Sequence, residues 1–292
     1  MDVPAIEHWT GPVDVVHGTN FVVPPARRAA RVVTVHDLTA VRFPELCTPA
    51  TLQFPRLLRR ALRRGAWVHT PSTFVAGEVI ELLGADPDRV VAIPSGVPPV
   101  LPADPAIGRQ AAGADRYVLA IGTIEPRKDH AALVRAFDCV AARHRDVHLV
   151  VAGSDGWGTD RYDAAVRQAR HRDRIVRVGY VDGATKAALL RGATAFVFPS
   201  VYEGFGFPPL EAMEADVPVV ATAAGSLPEV LGDAALFTPA GDDDALADGL
   251  ERALVDSELR ARLRAAGHAR VRALSWRACA GALTELYARA SN

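Results

Sequence analysis

Glu203 and Glu211 flank a glycine-rich bend in the stretch YEGFGFPPLEAM. An ionised carboxylate accepts two hydrogen bonds at once, which suits the vicinal diol of a ribose. Gly204 and Gly206 permit tight turning and close approach by a ligand. Pro208 and Pro209 suit a helix start, where their missing N–H groups cost nothing. That places Glu211 in the first helical turn, where the helix dipole favours its charge by ~0.3–1 kcal/mol. The backbone N–H groups of Gly204, Phe205, Gly206 and Phe207 suit a diphosphate. Glu203, across the bend, faces whatever the diphosphate carries. The bend is not a dinucleotide fingerprint, because Pro209 stands where the third glycine of G-x-G-x-x-G belongs; this counts against an NAD-dependent oxidoreductase. Taken singly, Glu203 reads as a loop cap and Glu211 as a surface acid. Together around one bend they read as a ligand site.

A second loop, GTIEPRKD, puts Arg127 and Lys128 just before a helix start. Cations there oppose the helix dipole and need another reason, and a phosphate supplies one. The alternative is a solvated surface pair. Of 33 basic residues only Lys128 and Lys186 are lysine. Lys186 reads as a helix-surface residue. A third loop, GSDGWGTD, follows the apolar run VHLVVAG.

These loops need a frame. YVLAIG, VHLVVAG, RIVRVGYV, AFVFPS, VPVVAT and ALFTP read as short buried strands, and helical patterns alternate with them. Asp129 and Asp182 stand at helix starts, and SLPE from Ser226 reads as a capping box. Continuous apolar strands alternating with helices define an α/β doubly wound parallel sheet covered on both faces. The first hundred residues repeat the theme with VDVVHG, RVVTVH, AWVHTP and RVVAIP. PSGVPPVLPADPA reads as a linker. The expected division is 1–103, 104–274, and a C-terminal helix over 275–292 packing back on the first domain. LQFPRLLRRALRRG carries Phe54, Leu57, Leu58, Ala61 and Leu62 on one helical face, with Arg56, Arg59, Arg60, Arg63 and Arg64 on the other. It reads as a domain helix with a solvated basic face. The alternative is peripheral contact with an anionic membrane.

With 292 residues, 49% of them apolar, the chain can bury two cores. A net charge of −1 argues against nucleic acid. No run approaches the ~18 apolar residues of a membrane span, and no signal peptide is legible, so a cytoplasmic setting is expected. The three cysteines lack metal or disulfide spacing.

These motifs resemble those of the family 4 (group 1) retaining glycosyltransferases, in particular their mannosyltransferase-like branch. YEGFGFPPLEA carries the E-x7-E motif. GTIEPRKD, VVAGSDGWG, VPVVATAAGSLPEVLGDAALFTPAGD, the late Ser275–Trp276 pair, VVTVHDLTAVRFPE and TPSTF fit as well. The resemblance implies the GT-B fold, two Rossmann-like domains facing a cleft. It implies retaining transfer of a sugar from a nucleoside-diphosphate sugar, for which GDP-mannose is the expected donor. The acceptor would be a glycan or a lipid-linked glycan of cell-surface polysaccharide synthesis. No cofactor or metal is expected. By resemblance the catalytic residues are His36, Lys128 and Glu203. The donor-binding set is Gly122, Thr123, Arg127, Lys128, Glu203, Gly204, Phe205, Gly206, Phe207 and Glu211. Glu211 would hold the ribose hydroxyls, Glu203 the donor sugar, and Lys128 with Arg127 the leaving diphosphate. Thr123 stands where many members carry arginine. Asp216 replaces a usual glycine, which Asp tolerates at a left-handed helix end. His17 is a further acceptor-side candidate. Against the family pattern the first domain looks incomplete, short by roughly 70–90 residues, about three strand–helix units. A donor-binding remnant without turnover is therefore the alternative function.

Overall fold

The computed structural model describes residues 4–291. By its contacts the chain forms two units. One comprises Met1–Gly96, Glu203–Phe205 and Leu274–Asn292; the other comprises Val97–Tyr202 and Gly206–Ala273. The boundary precedes the 103/104 junction read from the prolines. Arg191 explains this, since its guanidinium already holds the carbonyls of Val100 and Leu101.

The first unit runs α1 (Glu7–Thr10), β1 (Val15–Gly18), β2 (Ala30–Thr34), α2 (Thr39–Arg42), α3 (Phe54–Arg63), β3 (Trp67–Thr70), α4 (Thr73–Leu83) and β4 (Val90–Ala92). Its sheet is parallel in the order β1-β2-β3-β4. Val33 and Val68 pack against Leu58 of α3 and Val75 and Val79 of α4. On the other face Val32 and Ile93 meet Cys279 and Leu286 of the C-terminal helix. α3 splits as its sequence dictates: Leu58 is buried, while Arg56, Arg59, Arg60 and Arg63 are exposed.

A polar chain ties the C-terminal helix to this sheet. His69 Nε2 donates to the Ile93 carbonyl at 3.0 Å, so the other nitrogen of the neutral ring must accept. The Thr34 hydroxyl donates to it at 2.9 Å and accepts from His17 Nε2 at 2.8 Å. His17 Nδ1 then accepts from the Tyr287 hydroxyl at 2.7 Å. Burial holds His17 down to about 4, and lowers His69 as well. His17 is therefore engaged in holding β1, β2 and the C-terminal helix together.

The second unit runs α5 (Pro105–Ala112), β5 (Arg116–Ile121), α6 (His130–Ala141), β6 (Val147–Ala152), α7 (Thr159–Gln168), β7 (Ile175–Gly179), α8 (Gly183–Gly192), β8 (Ala195–Phe198), α9 (Phe207–Glu214), β9 (Val219–Thr222), α10 (Leu227–Leu231), β10 (Ala235–Thr238), α11 (Asp243–Val255) and α12 (Ser257–Ala273); α13 (Trp276–Ser291) is the C-terminal helix of the first unit. The six strands are parallel in the order β10-β9-β8-β5-β6-β7. Side chains alternate across a strand. Val118 and Ala120 face the core shared with α6, α7 and α11. Tyr117 faces the opposite way and donates its hydroxyl to the Leu189 carbonyl of α8 at 2.6 Å.

Three aspartates cap as read or in the same manner: Asp129 accepts from Ala132 N–H, Asp182 from Thr185 N–H and Asp242 from Ala245 N–H. The Ser226 capping box does not form. α10 starts there, but Ser226 lies at φ −79°, ψ −6°, and its buried hydroxyl has no partner. Ser226 is already helical, whereas Asp182 and Asp242 cap from the extended backbone usual for this position. Asp216 does adopt the left-handed conformation, φ 65°, after α9.

Candidate functional site

β5 and β8 are neighbours from which the sheet grows in opposite directions, β6 and β7 beyond one, β9 and β10 beyond the other. At such a switch point the outgoing loops diverge and leave a crevice past the C-terminal strand ends. The GTIEPRKD loop leaves β5, and the YEGFGFPP stretch follows β8.

The loop after β5 is locked to the loop after β6. Gly122 N–H donates to Ala152 O at 2.9 Å, Ile124 N–H to Ser154 O at 3.0 Å, and Gly156 N–H to Ile124 O at 3.1 Å. Thr123 is exposed between them. Pro126–Lys128 form one turn of 3-10 helix, which ends at Asp129 in the left-handed region, φ 43°. Burial raises the Asp129 carboxyl. The Lys128 stem folds over Gly122, and its Nζ lies 4.4 Å from the ring centroid of Phe198, the last residue of β8. The chain thus sets its ammonium at the mouth between β5 and β8. Next to it His130 is 4% exposed and held down to about 4, by burial and then by the Lys128 charge.

Arg127 does different work. Its guanidinium pairs with Glu125 at 2.8 Å and donates to the Tyr202 carbonyl at 3.0 Å, while Val201 N–H returns a bond to the Arg127 carbonyl at 2.9 Å. Side chains of 18% and 8% exposure make this a sheltered pair. Arg127 therefore clamps the lysine loop to the segment that follows β8.

α9 starts from Gly206 at φ 100°, with Phe207 exposed as its first residue and Pro208 and Pro209 next. Because the glycine lets the helix begin this early, Glu211 stands in its second turn and not in the first. The dipole fades within one turn. A cation takes its place: Lys186 Nζ lies 2.7 Å from Glu211 Oε1, with side-chain exposures of 34% and 13%. Lys186 is thus no plain helix-surface residue. α8 carries it, fixed by the Asp182 cap, by the Tyr117–Leu189 bond and by close packing of Gly108 in α5 against the Ala188 carbonyl.

The remaining motif residues belong to the first unit. Glu203 and Phe205 are buried, at 7% and 6% exposure. Ser72, the cap of α4, accepts from Val75 N–H at 3.2 Å and donates to the Gly204 carbonyl at 2.9 Å. A side chain at position 204 would collide with the His36 carbonyl. His36 itself is exposed; its Nε2 donates to the Thr19 carbonyl at 2.9 Å, and its ring meets Phe21 edge-on. Asp37 serves a local turn by accepting from Thr39 N–H at 2.8 Å. Gly122, Thr123, Arg127, Lys128, Gly206, Phe207 and Glu211 thus lie in the second unit, and His36, Glu203, Gly204 and Phe205 in the first.

Sequence reasoning missed Lys186, Glu125 and the second bond of Ser72. The rarity of lysine was the one available signal for Lys186. Nothing in a linear reading pairs α8 with α9.

The folded chain is a pair of Rossmann-like α/β units of which the second carries a lysine-bearing loop at its switch point. Two family models match it: "Glycosyl transferases group 1" over residues 108–270 and "Glycosyltransferase Family 4" over residues 4–100. The chain belongs to the group 1 glycosyltransferases. It is 34% identical to the O-antigen chain mannosyltransferase B of Escherichia coli over 273 residues, covering 91% of this chain and 71% of that one. It is also 34% identical to the phosphatidyl-myo-inositol mannosyltransferase of Mycobacterium leprae over 218 residues, 71% of this chain and 55% of that one. Among solved structures it matches sucrose-phosphate synthase from Thermosynechococcus elongatus with a TM-score of 0.75 and 26% identity, over 90% of this chain and 68% of that one. The chain thus spans little more than half the length of the mycobacterial relative. The fold is of the GT-B kind. Among the described residues no helix is long and apolar enough to cross a membrane.

Proposed function

We propose that this chain transfers a hexose, mannose, with retention from a nucleoside-diphosphate sugar, GDP-mannose, to a glycan or lipid-linked glycan of cell-surface polysaccharide synthesis. The observation that carries the reading is the convergence at the β5–β8 switch point, where Lys128 stands over the end of β8 and Arg127 clamps its loop to the chain beyond. Names of relatives that are mannosyltransferases support the sugar.

In this reading Lys128 neutralises the diphosphate as it leaves, and the low dielectric of the crevice makes that charge effective. Glu211 accepts from the ribose hydroxyls. Glu203 and His36 are assigned to the transferring sugar. The leaving phosphate oxygen takes the acceptor proton on the same face of the sugar. The C–O bond to phosphate breaks as the bond to the acceptor oxygen forms. Positioning and charge stabilisation supply the catalysis. No metal is assigned; among the described residues no three His, Cys, Asp or Glu side chains converge on one point. The exposed arginine row of α3 is the surface that would meet anionic headgroups around a lipid-linked acceptor.

The test is NMR of GDP-mannose, UDP-glucose and ADP-glucose incubated with the protein, with and without EDTA. α-Mannose as the first product from GDP-mannose, unaffected by EDTA, is expected. Binding without hydrolysis or transfer of any donor overturns the transferase reading. β-Mannose as first product overturns retention.

A further inference from the structure

Lys186 and Glu211 are the only close ion pair among the described residues that joins α8 to α9, and it sits on the helix that starts from the glycine bend. Glu211 has lost the dipole support that a first-turn position would give. It is nearly buried, and a carboxylate in that setting needs a hydrogen-bond partner to hold it in one orientation. Lys186 supplies both the charge and a direction, since α8 is itself pinned at its cap and at Leu189.

The choice of lysine carries further information in a chain whose other basic residues, Lys128 apart, are all arginine. A guanidinium grips a carboxylate through both oxygens as a planar fork. An ammonium is a point charge that engages one oxygen and leaves the remaining lone pairs open. Here Nζ takes Oε1. A carboxylate has about four lone-pair sites, so the rest can accept two hydroxyls from one ligand.

We propose that Lys186 is the positioning residue that orients Glu211 to accept the two hydroxyls of a ribose, and so sets the preference of this site for a ribonucleotide over a sugar without the diol. The proposal rests on the assignment of Glu211 to the ribose made above. Lys186 touches neither the diphosphate nor the hexose in this account; it acts only through Glu211.

The experiment is calorimetric titration with whichever of UDP, GDP and ADP binds tightest, and with its 2′,3′-dideoxy counterpart. Lys186→Met keeps the stem and a strong helix former, and a thermal melt checks that it folds. Lys186→Met is expected to weaken the ribonucleotide about tenfold and to leave the dideoxy form within about twofold. In a Glu211→Ala background the same substitution is expected to change neither. Equal weakening of both ligands by Lys186→Met, or no change in either, overturns the proposal while leaving the ribose assignment standing. If Glu211→Ala itself keeps the full preference for the ribonucleotide, the assignment of Glu211 fails and the proposal falls with it.

Discussion

At position 153 a β-carbon would collide with the carbonyl oxygen of Gly122, and the backbone stands at φ 154°. That close approach is what lets the loops after β5 and β6 zip together and carry Lys128 to the strand ends. Gly153→Ala is expected to cost about 2 kcal/mol or more in stability, since backbone and not a flexible tip must move. It is also expected to weaken nucleoside diphosphate binding, because the displaced segment is the lysine loop. A melting temperature and a binding constant equal to the parent's would refute both. Arg127 belongs to the same scale. Its type in GTIEPRKD reads as a phosphate ligand, yet its guanidinium is occupied by Glu125 and the Tyr202 carbonyl. Charge type alone does not reveal that Arg127 also ties its loop to the segment after β8.

Helix caps set the angles of the elements that hold the site, and two of them differ in burial. Asp182 caps α8 near solvent, whereas Ser72 at the start of α4 is fully buried and bonds in two directions. Asp182→Ala is expected to cost about 1 kcal/mol, the usual value of a cap. Ser72→Ala should cost more, about 2–3 kcal/mol, because it also strands the buried Gly204 carbonyl. Urea denaturation of the two variants checks the order, and equal losses would show that the second bond contributes nothing. The failed cap at Ser226 makes the same point from the other side. Ser-x-x-Glu matches a pattern, but the backbone at Ser226 is already helical and its hydroxyl makes no cap.

Across the molecule the buried imidazoles tie stability to pH. Burial holds His17 and His130 at about 4 and lowers His69. Unfolded histidine titrates near 6.5. Between these values the unfolded chain binds more protons, so stability falls as pH drops from about 6.5 to about 4 and gains nothing from these groups above that range. For His130, 4% exposed, the loss is on the order of 3 kcal/mol. Glu7 extends the slope: it accepts from the N–H groups of Arg27, Arg28 and Ala29, which hold it at about 2, and its contribution is lost as pH falls below about 4.5. Asp129, raised by burial, opposes the trend in part. Urea midpoints are expected to hold level from pH 7.5 to about 6.5 and to fall from there toward pH 5. A flat profile would mean that the imidazoles are hydrated in the folded state.

Among the described residues ten strands are legible as short, largely apolar runs; β8 and β9 are buried along their whole length and are apolar or nearly so, while β7 carries the exposed Arg177. The starts of α6 and α8 are legible because a cap needs an aspartate at one position. GTIEPRKD and YEGFGFPPLEAM stand out because glycines, prolines and charged residues crowd there between apolar runs. The sequence by itself thus determined the parallel α/β class and the chemistry available in its loops. The order of the strands, and with it the switch point that brings the Lys128 loop beside β8, was decided only by tertiary packing. So were the clamp at Arg127, the pairing of Lys186 with Glu211 and the grouping of Glu203–Phe205 with the first unit. The physical reason is common to all of these. Local pattern is written in neighbouring residues, whereas a partner held across the fold leaves no mark on the residues beside it.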